Sequence, residues 1–286
     1  MSMNSGKPIT EATTGVSVVL PILNEERFLE DSIHAILAQK YLGPLEVILA
    51  LGPSTDKTNE IAQMLATKDP RIVLVDNPTG RTATGLNRAI THAKYSIICR
   101  IDGHAEISPT YISHAVAVMN QTQAVNVGGV MAAVGENIFE NAVATAMRSP
   151  LGVGASRFHT GGKAGPADTV YLGVFDKSKL EKVGGYDERF TRAQDWELNF
   201  RLRQDGGIIW FDPDLVVTYR PRPNLRALAK QYFEYGRWRR AVTRSHKGTV
   251  NFRYLAPPET LILCLTSLLA GSAFGPLYFL PLKRLV

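Results

Sequence analysis

The run VSVVLPILNEE, residues 16–26, decides how this chain is read. It opens as an almost wholly apolar strand and closes on polar residues that start a helix, where Asn24 can serve as the cap. The backbone N–H groups at that helix start would face whatever binds at the strand end. The same design recurs at 45–51 (LEVILAL), 71–76 (RIVLVD), 96–101 (SIICRI) and 125–131 (VNVGGVM). Between the runs lie apolar residues at helical spacing: Phe28, Leu29, Ile33, Ile36 and Leu37, then Ile61, Met64 and Leu65, then Leu86 and Ile90. Strands without polar alternation, separated by helices, predict an α/β fold whose mostly parallel sheet is covered on both faces. Such sheets bind ligands beyond the carboxyl ends of their strands.

Past residue 132 the rhythm changes. Residues 149–168 are rich in Gly and small polar residues and predict a long, mobile loop. A strand over 169–175, a short helix over 177–183, a turn at Gly184-Gly185, a helix over 195–204 and a β segment over 208–217 follow. There is no internal repeat, and no linker divides the globular part. The expected organisation is a tail over 1–15, a catalytic domain over 16–220, a basic interfacial segment over 221–258 and a hydrophobic, membrane-associated segment over 259–286.

At 286 residues, 45% of them hydrophobic, the chain can build a core without disulfide or metal staples, and disorder is excluded. Cys99 and Cys264 sit in apolar runs and read as reduced thiols of a cytoplasmic protein. The net charge of +6 is uneven. Residues 220–247 carry nine Lys/Arg against Glu234 alone, a local +8 that leaves the remainder at −2. Residues 260–282 then run 23 positions without a charge, about 35 Å as a helix, enough for a bilayer core. Gly271, Gly275, Pro276 and Pro281 would kink it, and a hairpin of two buried helices is the alternative. No signal peptide is visible in the polar N-terminal residues, so the basic flank is expected to keep the catalytic part at the cytoplasmic membrane face. The basic segment is read as a patch for anionic lipid; no nucleic-acid motif accompanies it.

Three strand ends and one helix start carry candidate chemistry. Gly52-Pro53-Ser54-Thr55-Asp56 reads equally well as a helix cap. Gly80, Arg81 and Gly85 form a Gly-rich turn suited to a diphosphate. In RIDGHAE (100–106), Asp102, His104 and Glu106 fall at i, i+2 and i+4; an extended backbone would bring all three to one face as a divalent-metal site. A turn that is merely polar explains them as well. In QDWEL (194–198), Asp195 at a helix start is either a dipole-favoured acid or a general base in a cleft walled by Trp196.

Each motif is generic, but the ordered set PILNEE, DGH, GGYDERF, QDWEL and RLR is specific. It resembles the family 2 inverting glycosyltransferases of the GT-A fold, and more narrowly a bacterial succinoglycan glucosyltransferase branch sharing YRPRPNLRALAKQYFEYGRWRR (219–240). The resemblance implies that Pro21, Leu23, Glu25 and Arg81 line the nucleotide-sugar pocket together with Asp102. It implies that Asp102, His104 and Glu106 ligate Mn²⁺ or Mg²⁺, and that Asp195 is the base acting on the acceptor hydroxyl. Trp196 is expected on the acceptor side. Gln231, Arg237 and Trp238 resemble, with altered spacing, the Gln-x-x-Arg-Trp element of processive synthases. The implied partners are a nucleotide-sugar donor, a lipid-linked or glycan acceptor and membrane lipid, with no nucleic acid.

Two departures qualify the match. Relatives usually carry an acidic pair after the second strand, where this chain has Leu51 and Gly52, so the base is open and UDP is only the default. His104 replaces the second Asp of the metal motif, which favours Mn²⁺ and makes binding fall off near pH 6 to 6.5 if the imidazole is unshifted. A membrane-anchored partner that kept the fold without the chemistry is the second reading. A dinucleotide oxidoreductase is disfavoured by the missing G-x-G-x-x-G.

Overall fold

The computed structural model describes residues 14–150, 156–246 and 256–274. Most of the expected tail, residues 151–155 of the Gly-rich segment, and residues 247–255 and 275–286 of the C-terminal segments lie outside the described residues.

Four strands build the first half: β1 (Val16–Ile22), β2 (Leu45–Leu51), β3 (Ile72–Asp76) and β4 (Ile97–Arg100). They pair in parallel in the order β3-β2-β1-β4, with Val16 opposite both Leu45 and Ile97. The helices α1 (Leu29–Leu37), α2 (Thr58–Lys68) and α3 (Thr82–His92) make the crossovers. Strand alternation divides the apolar runs between two faces. Val16, Val18, Leu20 and Ile22 join Val47 and Leu49 under α1 and α2. Val19, Ile48 and Ala50 meet Ala83, Leu86, Ala89 and Ile90 of α3. Both faces are covered, which is why these strands need no polar side. Each fully buried Leu or Ile contributes about 1.5–3 kcal/mol.

The second half is mixed. After β5 (Glu106–Ile107) and α4 (Tyr111–Thr122) come β6 (Asn126–Ala133), α5 (Ile138–Arg148), the short α6 (Arg157–Thr160) and β7 (Gly165–Pro166). Then follow β8 (Tyr171–Asp176), α7 (Lys177–Lys182), α8 (Gln194–Gln204) and β9 (Ile209–Tyr219). β8 lies antiparallel between β4 and β6, and β9 runs parallel to β6 while pairing antiparallel with β5 and β7. The parallel half is therefore as expected and the sheet turns mixed beyond β4. The described part of the Gly-rich segment is not all loop, since it contributes α6 and β7.

The basic segment forms α9 (Leu225–Ser245), started by the Asn224 side chain accepting from the Ala227 N–H at 2.9 Å. α10 (Ala256–Phe274) follows. Among the described residues no helix is long and apolar enough to cross a membrane.

Candidate active site

A cleft of about 320 Å³ opens where the carboxyl ends of β1, β3 and β4 meet the loop before α8. Pro21, Leu23 and Glu25 line it from β1, Asn77, Gly80 and Thr82 from the end of β3, and Arg100, Asp102 and His104 from β4. Tyr171, Tyr219, Arg192 and Asp195 close the opposite side.

The backbone at this rim is held by side chains of the neighbouring loop. Asn24, at φ +56°, accepts from the Thr55 N–H at 2.8 Å, and the Glu25 N–H donates to Thr58 Oγ1 at 2.7 Å. Ala193 is likewise left-handed at φ +60°, just before Gln194 and Asp195. A non-glycine residue there costs on the order of 1 kcal/mol, which the packed surroundings impose. Phe190 anchors this loop from within, with the Trp238 ring edge-on at 6.0 Å.

Gly52 sits where three segments approach closely. A Cβ at that position would lie 3.0 Å from the Ile22 carbonyl and 3.2 Å from the Gly80 Cα. A side chain at position 52 would therefore require the neighbouring segments to shift.

The electrostatic centre is Arg100. Its guanidinium donates through Nη1 to Asp195 Oδ1 and through Nη2 to Asp102 Oδ1 at 3.1 Å. Burial works against the Arg100 charge, but the Asp195 and Asp102 carboxylates outweigh it and hold its pKa well above the usual arginine range. Burial pushes the Asp195 carboxyl up, and Arg100 pulls it back only in part. Asp102 and Asp195 thus face the cleft as two carboxylates joined by one cation.

His104 Nδ1 lies 2.8 Å from Glu25 Oε1, a pairing that favours the Nδ1–H tautomer and leaves Nε2 as the ligand atom. Asp102 with His104 Nε2 is a donor set that fits Mn²⁺ or Mg²⁺ beside a diphosphate. The Glu25 hydrogen bond raises the His104 pKa above its usual value against burial, so the imidazole takes up a proton at higher pH than an unshifted one.

Glu106 is not with them. Ala105 N–H bonds the Asp102 carbonyl at 3.0 Å, so the chain turns instead of staying extended. Glu106 then enters β5 against β9 and is taken by Arg220 Nη2 at 2.6 Å, which corrects the expectation of a third ligand on the same face. The described His/Asp/Glu/Cys side chains that do converge as a threesome are His114, Asp212 and Asp214, whose ligand atoms lie within 4.8 Å of one another outside the cleft.

Other expected residues also fall outside the lining. Arg81 is exposed at the rim, between Gly80 and Thr82. Trp196 stacks on Phe200 at 5.6 Å; successive helical residues point about 100° apart, so turning Asp195 inward turns Trp196 away. Arg237 is exposed beside Glu234 at 3.8 Å. Trp238 supports Phe190 and does not line the cleft. Gln231 is buried behind the wall, accepting from Arg222 Nε at 2.8 Å and donating to Tyr219 Oη at 3.1 Å and Tyr235 Oη at 2.6 Å.

Sequence reasoning passed over Arg100, Arg192, Arg222, Tyr171 and Tyr219. One signal was available: an arginine closing an apolar strand, SIICR, must find carboxylates once buried.

This fold and cleft define the class. The Glycosyl transferase family 2 model matches residues 17–184. The chain belongs to that family of glycosyltransferases. It is 35% identical over 262 residues to the succinoglycan biosynthesis protein ExoA of Rhizobium meliloti, covering 90% of this chain and 79% of the relative. A Methanococcus voltae dolichyl N-acetyl-alpha-D-glucosaminyl phosphate 3-beta-D-2,3-diacetamido-2,3-dideoxy-beta-D-glucuronosyltransferase is 24% identical over 266 residues, covering 90% and 82%. Among solved structures, the mannosyltransferase PcManGT of Pyrobaculum calidifontis, in complex with GDP-Man and Mn²⁺, superposes with a TM-score of 0.65 at 22% identity, covering 92% and 76%. S. aureus TarS 1-349 in complex with UDP-GlcNAc gives 0.59 at 14%, covering 93% and 77%. These two likenesses bear on the fold.

Proposed function

We propose that this glycosyltransferase moves a sugar, with inversion, from a nucleoside-diphosphate donor to a lipid-linked or growing glycan acceptor in cell-surface polysaccharide synthesis. The observation that carries the proposal is the pair Asp102 and Asp195, facing one cleft from opposite walls and joined by Arg100. Asp195 takes the proton of the acceptor hydroxyl as its oxygen attacks the anomeric carbon. The anomeric C–O bond to the diphosphate breaks on the opposite face, and its electron pair leaves with the diphosphate. Arg192 and Arg222 lie where they can offset that charge. Mn²⁺ or Mg²⁺, held by Asp102 and His104, would supply further neutralisation of the leaving group.

The 35% identity to a succinoglycan biosynthesis protein supports the polysaccharide context. UDP is the default donor nucleotide, and a polyprenyl-diphosphate-linked sugar is the preferred acceptor over a polyprenyl phosphate. The C-terminus supports placement at the cytoplasmic face of the membrane. α9 exposes Tyr232, Phe233 and Tyr235 among its basic residues, and α10 exposes Leu261, Ile262, Leu265, Leu268 and Leu269, each by 55% or more on α10. An apolar helix left uncovered in water is costly, and an anionic bilayer surface would cover it. Co-sedimentation with vesicles containing anionic lipid, and not with phosphatidylcholine alone, is the expected outcome.

Calorimetric titration with UDP, GDP and dTDP, with and without Mn²⁺, tests the donor side. Asp195→Asn tests the base: transfer should fall about a thousandfold while donor binding holds. Near-normal turnover in that variant would remove Asp195 from the role.

A further inference from the structure

We propose that Arg100 is a positioning residue that spans the metal-side carboxylate and the base, and that a divalent ion must bind against its charge. The inference rests on the function proposed above and concerns the same cleft.

Arg100 comes from a strand with no use for a charge. Its neighbours Ile98, Cys99 and Ile101 are fully buried, and its own side chain is only 5% exposed. Burying a guanidinium there is costly unless it is paired, and an apolar residue would fill the same space without that cost. The two Nη atoms are paired across the cleft, to Asp195 on one side and Asp102 on the other. The Nε atom has no partner among the described residues, and the Tyr186 ring lies 5.8 Å from Cζ. The hydrogen bonds of the group thus go to the two carboxylates, with the buried Tyr186 ring beside it.

Two effects follow, of opposite sign. Each carboxylate has one oxygen held, so its rotamer is set and Oδ2 is left to act on the acceptor proton or the ion. The guanidinium also places a positive charge one hydrogen bond from a metal ligand, which weakens cation binding and keeps the ion exchangeable with the donor diphosphate. Removing Arg100 should therefore slow transfer and tighten metal binding together. An arginine that merely propped up the strand end would, on removal, weaken both.

The test is Mn²⁺ binding to the full-length protein, followed by electron paramagnetic resonance with the metal alone, beside kcat and donor KM, for wild type, Arg100→Met and Arg100→Lys. Arg100→Met should bind Mn²⁺ about tenfold more tightly and turn over about a hundredfold more slowly, with the larger change in kcat. Arg100→Lys keeps the charge but not the fork: its Mn²⁺ affinity should stay within about threefold of wild type and its turnover recover only in part. Weaker Mn²⁺ binding in Arg100→Met with an unchanged melting temperature would overturn the proposal, as would unchanged turnover. Should Arg100→Met fail to fold, Arg100→Lys decides alone: turnover equal to wild type, or a clear loss of metal affinity, overturns it. Wild-type protein that binds no Mn²⁺ would instead break the metal site of the function proposed above. Wild-type binding without tightening in Arg100→Met breaks this inference only.

Discussion

The parallel half and the α9 side of the molecule hold the cleft by different means. β1 to β4 are sandwiched between two apolar layers, and most of the side chains that define them are wholly buried. α9 spans 21 residues yet buries only Gln231 and Val242, and it meets the cleft wall through the hydrogen bonds of Gln231 and the edge of Trp238. The wall built by the parallel half is thereby rigid, since apolar cores resist any change of volume. The α9 side rests on a few polar contacts that can open at low cost. In the function proposed above, the rigid wall would hold the donor and the adjustable one the acceptor.

Three measurements would break or sharpen that contrast. The largest effect belongs to the parallel half: Ile48→Ala, at a site with no exposure, should cost about 2–5 kcal/mol in denaturant unfolding. A cost below about 1 kcal/mol would mean the core is not what holds the donor side.

The second concerns α6, packed on β6 and α5. His159 packs on Phe158 at 4.2 Å, and burial, with Arg239 nearby, drops its pKa to about 4. The unfolded chain takes up this proton near pH 6.5 while the folded one does not. Stability from this group is therefore full above pH 6.5 and is lost as pH falls from 6.5 towards 4, by at most about 2–3 kcal/mol. His159→Phe should flatten the melting temperature between pH 7 and 5. An equal acid slope in wild type and variant would assign the loss elsewhere.

The smallest stability effect is at Gln231. Gln231→Met removes the link among Arg222, Tyr219 and Tyr235 and should cost about 1–2 kcal/mol. Acceptor KM should rise severalfold while nucleotide binding is unchanged; a loss of nucleotide affinity instead would merge the two sides into one unit.

Composition and periodicity made the first half legible. Strand β2 falls on the expected residues, and β1, β3 and β4 lie within one residue of expectation at each end. The second half was less so, because β8 inserts antiparallel between two strands that no local pattern marks as its neighbours. Of the candidate site, Asp102, His104 and Asp195 do meet in one cleft, with Pro21, Leu23 and Glu25 at its rim. Glu106 left it because a turn at Asp102–Ala105 interrupts the alternation that would have kept it there.

What the sequence by itself determined was the α/β class, the parallel strands, the family and the acids at the strand ends. Each of these is written locally, in apolar period and in short motifs. What only the tertiary structure decided was which charges pair. Arg100 and Asp195 stand 95 positions apart, and Gln231 on α9 reaches Tyr219 at the end of β9. Those contacts follow from sheet register and helix rotation, long-range quantities that no short window of sequence carries, and they are where the chemistry of the cleft is set.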